Sequence, residues 1–232
     1  MCGRFGLTAD TATLRARYRL ANDDDTVELS PRYNCAPMQR LPIILPENQD
    51  TWSLRLFQWG LVPTWQTEPT GNAPLINARC ETITDKRSFA DAFRLRRCLV
   101  PTDAYYEWSS VGSMKKVYRI SIENEPLFSF AGLWEEHHSP DGTTLFSFAL
   151  LTREAIPALS VIHNRMPLIL TPEQEQEWLQ PTTDLDVLQS FFSPPHSRRF
   201  SFYRVSNKVG NVRYDHSDLI LPLTDVNQSA LF

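Results

Sequence analysis

Four runs between residues 98 and 152, CLVPTDAYYEW, KKVYRISI, LFSFAGLW and TLFSFALLT, are rich in β-branched and aromatic side chains, with turn signals such as ENEP and SPDG between them. Runs of this kind predict an antiparallel meander. LPIIL and TWSLRLFQW add two strands on either side of PENQD, and FSFYRVS adds a late one. RYNCAP reads as extended because Pro37 disfavours a helical residue before it. The helical segments are short and sit between strands. LTADTATLRARYRLA places Leu14 and Tyr18 on one face, with Thr8 as its N-cap and NDDD as its end. SFADAFRL takes Ser88 as cap, a third helix opens at Thr171 with Pro172 in its first position, and DLDVLQSFF forms a fourth. WGLVPTWQTEPTGNAP is loop-like. With no repeat or linker in view, residues 1–232 are expected to form one α+β domain, a mainly antiparallel, curved or barrel-like β core with peripheral helices.

Composition narrows the function classes. The 232 residues are 42% hydrophobic, enough for a sizeable core. No uninterrupted apolar run approaches the roughly 18 residues of a membrane span, and no basic segment followed by an apolar run opens the chain. A cytoplasmic protein is expected, nuclear if the source is eukaryotic, with no membrane partner. Cysteines at 2, 35, 80 and 98 form no C-x-x-C pair, so reduced thiols and no metal site are expected. A net charge of −4 argues against a uniformly basic nucleic-acid coat and leaves room for a local cationic groove.

The chain begins MCGRFG. Removal of Met1 would leave Cys2 with an α-amine and a thiol on adjacent carbons. These groups have reference pKa values of about 7.7–8.0 and about 8.5, so an exposed Cys2 holds both partly as nucleophiles near neutral pH. A neutral amine condenses with an aldehyde to an imine. The neighbouring thiol can then close a five-membered thiazolidine, an extreme case of proximity. A small residue at position 2 also occurs by chance, and the dipeptide alone does not decide.

Three further segments carry chemistry-bearing groups. In TDAYYEW, alternation puts Asp103, Tyr105 and Glu107 on one strand face. Glu107 is either a solvated strand glutamate or, if that face is enclosed, a carboxyl raised toward the range useful for proton transfer. VIHNRMP places His163 and Arg165 on a connection, where the histidine either exchanges protons near neutral pH or is a hydrogen-bonded structural residue. His137 and His138, next to SPDG, read as solvated loop residues. PLINARCET offers Asn77 to a developing oxygen charge and Arg79 to a phosphate, against a structural turn or surface ion pair. Trp65 can stack on a base or simply pack.

Taken in order, MCGRF, RYNCAP, WGLVPTW, LINARCET, CLVPTDAYYEW, AGLW, IHNRMPLIL and VSNKVGNVR resemble the SOS response-associated peptidase (SRAP) family over nearly the whole chain. The resemblance implies recognition of abasic sites in single-stranded DNA, covalent attachment through residue 2, and an α+β fold around a barrel-like core. It implies Cys2 as nucleophile and Asn77 near the amine and substrate oxygen. Glu107 would handle protons at the amine, and His163 would assist ring opening and the imine steps. Arg4 and Arg79 resemble phosphate contacts; Trp65 and Arg165 are carried as further DNA contacts. No cofactor is implied, a monomer is expected, and a lyase side activity accompanies slow ring closure. Two positions depart from the pattern: Gln66 follows Trp65 where a second aromatic is common, ahead of the longer TEPTGNAP, and Cys35 replaces an aliphatic residue as a buried small hydrophobe. The alternatives are an N-terminal-nucleophile cysteine peptidase and a noncatalytic single-strand binder.

Overall fold

The β-prone runs do form strands, but the tertiary structure divides them between two sheets. The computed structural model describes residues 2–21, 28–48, 51–66, 74–109, 115–193 and 198–223. Its strands are β1 (Phe5–Leu7), β2 (Arg32–Cys35), β3 (Arg40–Pro46), β4 (Trp52–Trp59), β5 (Asn77–Arg79), β6 (Arg97–Thr102), β7 (Ala104–Ser109), β8 (Lys116–Ile122), β9 (Phe128–His138), β10 (Thr144–Glu154), β11 (Arg165–Pro167), β12 (Ile169–Leu170) and β13 (Phe200–Val205). The helices are α1 (Thr11–Tyr18), α2 (Ala90–Leu95), α3 (Pro157–Ser160), α4 (Pro172–Leu179) and α5 (Leu185–Ser190). One sheet runs β13-β8-β7-β1-β2. The other runs β11-β10-β4-β3-β6-β9-β12, and pairing of β9 with β10 closes β10, β4, β3, β6 and β9 into a barrel. The fold is therefore α+β with a mainly antiparallel, barrel-like core, as the sequence predicts.

The simple meander is not what forms. β7 pairs with β8 and β9 with β10, but β9 turns away from β8 to pair with β6 and β12. The cause lies at Asp103, which breaks CLVPTDAYYEW into a barrel strand and a strand of the other sheet. Its carboxylate accepts the Thr8 backbone N–H and an Arg119 Nη2–H, while its own N–H donates to the Gly6 carbonyl. A Cβ on Gly6 would lie 3.1 Å from Asp103 Oδ1, so a larger residue there would press on the carboxylate that Arg119 holds.

Alternation along the barrel strands sorts their side chains into two clusters. Leu99 faces Leu14, Tyr18, Phe93 and Trp178, the residues that α1, α2 and α4 lay against the barrel. Cys98 and Val100 face the opposite way, into a cluster with Cys2, Phe5, Trp59, Tyr105 and Phe130. Burying each of these large side chains contributes about 1.5–3 kcal/mol. Cys35 is buried here too, as expected.

Capping departs from expectation at two helices. Asp10, not Thr8, caps α1, its Oδ1 accepting the Thr13 N–H at 2.8 Å, because Thr8 is tied to Asp103. α1 ends in left-handed backbone at Arg19; of the NDDD segment expected to stop it, residues 22–25 lie outside the described residues. α2 begins after Phe89 with no side-chain cap, so Ser88 does not serve. Thr171 does cap α4, with Gln174 completing a reciprocal capping box. His137 is not a solvated loop residue: it lies buried one residue before the end of β9, its Nδ1 3.2 Å from the Pro63 carbonyl oxygen, because β9 runs on through EEHH up to the SPDG turn. Among the described residues, no helix is long and apolar enough to cross a membrane.

Candidate active site

The N-terminal segment is an interior strand. β1 lies between β2 and β7, with Phe5 opposite both Cys35 and Tyr105 and Gly6 opposite Ala104. Because β1 and β7 are antiparallel, continuing backwards from Phe5 moves along β7 from Tyr105 toward Glu107. The Tyr106 N–H donates to the Arg4 carbonyl at 3.0 Å and holds that register. Residue 2 is thereby delivered beside Glu107, 105 positions away in sequence.

β5 reaches the same point, and the connection after α3 carries His163. β5 runs parallel to β10, with Asn77 opposite Leu150, and Asn77 Nδ2 donates to the Cys2 carbonyl at 2.9 Å. Asn77 Oδ1 is buried with no hydrogen-bond partner among the described residues. His163 follows α3, its N–H bonded to the Leu159 carbonyl at 3.1 Å. The Arg165 N–H donates to His163 Nδ1 at 2.9 Å. Nδ1 is also 3.3 Å from the Arg165 carbonyl oxygen, but the shorter contact makes it an acceptor and places the ring proton on Nε2. Burial and the charge of the chain's amino terminus both hold His163 below the usual histidine range.

Cys2 departs from the exposed residue that the sequence suggests. It is 0% exposed, packed with Phe5, Trp59, Tyr105 and Phe130, and Sγ contacts the Arg4 carbonyl oxygen at 3.8 Å. Burial and the Glu107 charge push the thiol far above its ordinary value, so near neutral pH the sulfur holds its proton. Strand pairing is the reason, since a segment hydrogen-bonded on both sides is drawn into the core with its side chains. Met1, whose removal the amine chemistry needs, lies outside the described residues. Glu107 is 2% exposed, and burial raises its carboxyl to about 7 against the opposing pull of the chain's terminal ammonium. A group poised there both accepts and donates protons at neutral pH.

The residues considered for DNA are less uniform. Arg79 stands exposed at the end of β5. Arg4 is partly buried, with Nη1 donating to the Gly3 carbonyl at 2.7 Å. Trp65 is 46% exposed, and the Arg87 guanidinium sits 4.7 Å from its ring centroid, a pairing the sequence did not single out because Arg87 lies 22 positions on in a loop. Part of TEPTGNAP, residues 67–73, lies outside the described residues. The Arg165 fork holds Glu81 at 2.6 and 3.0 Å and also donates to the Thr152 carbonyl.

A barrel-cored fold with residues 5–7 as an inner strand of its second sheet, and an amide and a buried carboxyl brought to the adjoining Cys2, sets the class of this chain. Residues 1–212 match the SOS response associated peptidase (SRAP) family, and the chain belongs to it. The abasic site processing protein YoqW of Bacillus subtilis strain 168 is 35% identical over 222 residues, covering 95% of this chain and 99% of its own. The abasic site processing protein YedK of Escherichia coli K12 is 31% identical over 236 residues, covering 96% and 100%. A crystal structure of a Bacteroides thetaiotaomicron protein superposes with a TM-score of 0.80 at 28% identity, covering 89% of this chain and 93% of that one.

Proposed function

We propose that this protein processes abasic sites in single-stranded DNA by joining Cys2, after loss of Met1, to the open-chain aldehyde of the damaged sugar as a thiazolidine. The observation that carries this reading is the convergence on residue 2 of Asn77 and Glu107, two groups from separate strands, with the charge of the chain's amino terminus acting on His163. The resemblance of the relatives, named as abasic site processing proteins, supports the same substrate.

The steps balance without an external reagent. The Cys2 amine adds to the aldehyde carbon, and loss of water from the carbinolamine leaves an imine. Glu107, titrating at about 7, takes a proton from the attacking amine and returns one to the departing hydroxyl. Asn77 Oδ1 accepts a hydrogen bond from the amine or carbinolamine, and His163 Nε2–H donates to the sugar oxygen. Sulfur then adds to the imine carbon. The proton that leaves sulfur equals the one that nitrogen gains, so closure can begin from the neutral thiol that burial enforces. Glu107 carries that proton between them. Ring closure also removes the imine that would acidify the neighbouring C–H and break the strand by β-elimination, so a lyase activity appears when closure is slow. Arg4 and Arg79 hold phosphates, Trp65 stacks on a base, Arg165 is a further DNA contact, and the protein acts as a monomer.

Intact-mass measurement after mixing with single-stranded DNA bearing one abasic site tests this. The expected product has lost Met1 and carries the DNA minus one water. A chain that retains Met1, or that binds equally to undamaged DNA without a covalent product, overturns it.

A further inference from the structure

The mechanism above leaves one buried polar group unused. Tyr105 is 1% exposed, and its hydroxyl has no hydrogen-bond partner among the described residues. An unmade hydrogen bond of this kind costs about 1–3 kcal/mol, and phenylalanine would fill the same space without it. The ring is not free to search for a partner elsewhere. It packs edge to face on Phe130, with centroids 5.9 Å apart and planes at 77°, and its backbone is fixed by pairing with Phe5 on one side and Ile120 on the other.

That position is specific to the reaction centre. Tyr105 and Glu107 lie two residues apart on β7 and so share a face. Across the sheet stands Phe5, three residues beyond Cys2, and Cys2 and Tyr105 belong to one packed cluster. We propose that Tyr105 is a positioning residue for ring closure, its hydroxyl donating a hydrogen bond to the Cys2 sulfur as the thiol gives up its proton and attacks the imine carbon. Only the sulfur proton moves in this step, toward Glu107 and the imine nitrogen; the phenol keeps its own. It can do so because burial, with the Cys2 and Glu107 charges adding to it, holds the phenol far above its ordinary range. Asn77 secures the backbone of the same residue from the opposite strand system, so the two residues fix the carbonyl and the sulfur separately.

The role rests on the abasic-site reading for its substrate, but not for its first test. The titratable groups on β7 whose charge is felt between them and Cys2 are Glu107 and Tyr105. In Met1-processed protein, the first arm supplies a small aldehyde, propanal, and compares the borohydride-trapped imine at Cys2 with the thiazolidine by intact mass. Tyr105→Phe is expected to form the imine at the wild-type rate and to close it about tenfold more slowly. An equal closure rate overturns the proposal. The second arm uses single-turnover reaction with abasic single-stranded DNA, comparing borohydride-trapped imine with the stable adduct. Tyr105→Phe is expected to form imine at the wild-type rate and close it about tenfold more slowly, with more strand breakage. Equal closure rates overturn the role. If wild type forms no adduct with abasic DNA, the function is refuted while closure on the small aldehyde still decides Tyr105. Urea unfolding of Tyr105→Phe should show stability equal to or above wild type, which separates the effect from misfolding.

Discussion

Glu107→Gln should change how stability depends on pH, and the size follows from the burial of the carboxyl. An unfolded glutamate titrates near 4.5, whereas in the fold burial raises Glu107 to about 7. At 1.36 kcal/mol per pH unit this is a difference of about 3 kcal/mol. The folded state binds the proton more tightly, so the contribution is fully present below the unfolded pKa of 4.5 and is lost as pH rises through about 7. Above that, wild type carries an ionised carboxylate in a site that is nearly dry. Glutamine keeps the shape and never ionises. Urea unfolding of both proteins at intervals between about pH 4 and about pH 8 should therefore show the variant gaining about 3 kcal/mol on wild type, with equal m-values. A gap that stays constant with pH, or one that closes as pH rises, would refute the assignment of Glu107 as a raised, buried acid. Adduct formation should lose speed in the same variant, because glutamine cannot ferry the proton.

Cys2→Ser should abolish durable adducts with abasic DNA, read by denaturing gel, since a hydroxyl gives a far less stable ring; retained amide hydrolysis by that variant would instead favour a peptidase. Arg79→Ala should weaken single-strand binding and reduce the slope of log K against log salt by about 0.7, and an unchanged slope would remove it from the interface. Glu81→Gln loosens the fork on Arg165 and should strengthen binding with a steeper slope by a similar amount; no change in slope would leave Arg165 as a structural tie between Glu81 and Thr152. In the barrel, a Cβ on Gly132 would lie 2.6 Å from Cys98 Sγ, so Gly132→Ala should cost about 1–3 kcal/mol and Cys98→Ala should recover part of it in the double variant. Additive losses would show that the clash is not with that sulfur.

What the sequence determined by itself was local. Period-two alternation in the β runs placed Tyr105 and Glu107 on one face, and Thr171 before Pro172 marked the start of α4, because both signals act through neighbours a few residues away. The resemblance in ordered motifs named the residues that gather at residue 2. The tertiary structure decided the rest. A bend at Asp103, tied to Thr8, Gly6 and Arg119, sends one continuous β run into two sheets, and no composition signal marks such a corner. The same long-range pairing inserts β1 between β2 and β7, buries a cysteine that looks exposed at a chain end, and engages Arg165 with Glu81 across 84 positions. Burial, and with it the proton affinity of Cys2 and Glu107, is set by what packs around a group from distant parts of the chain.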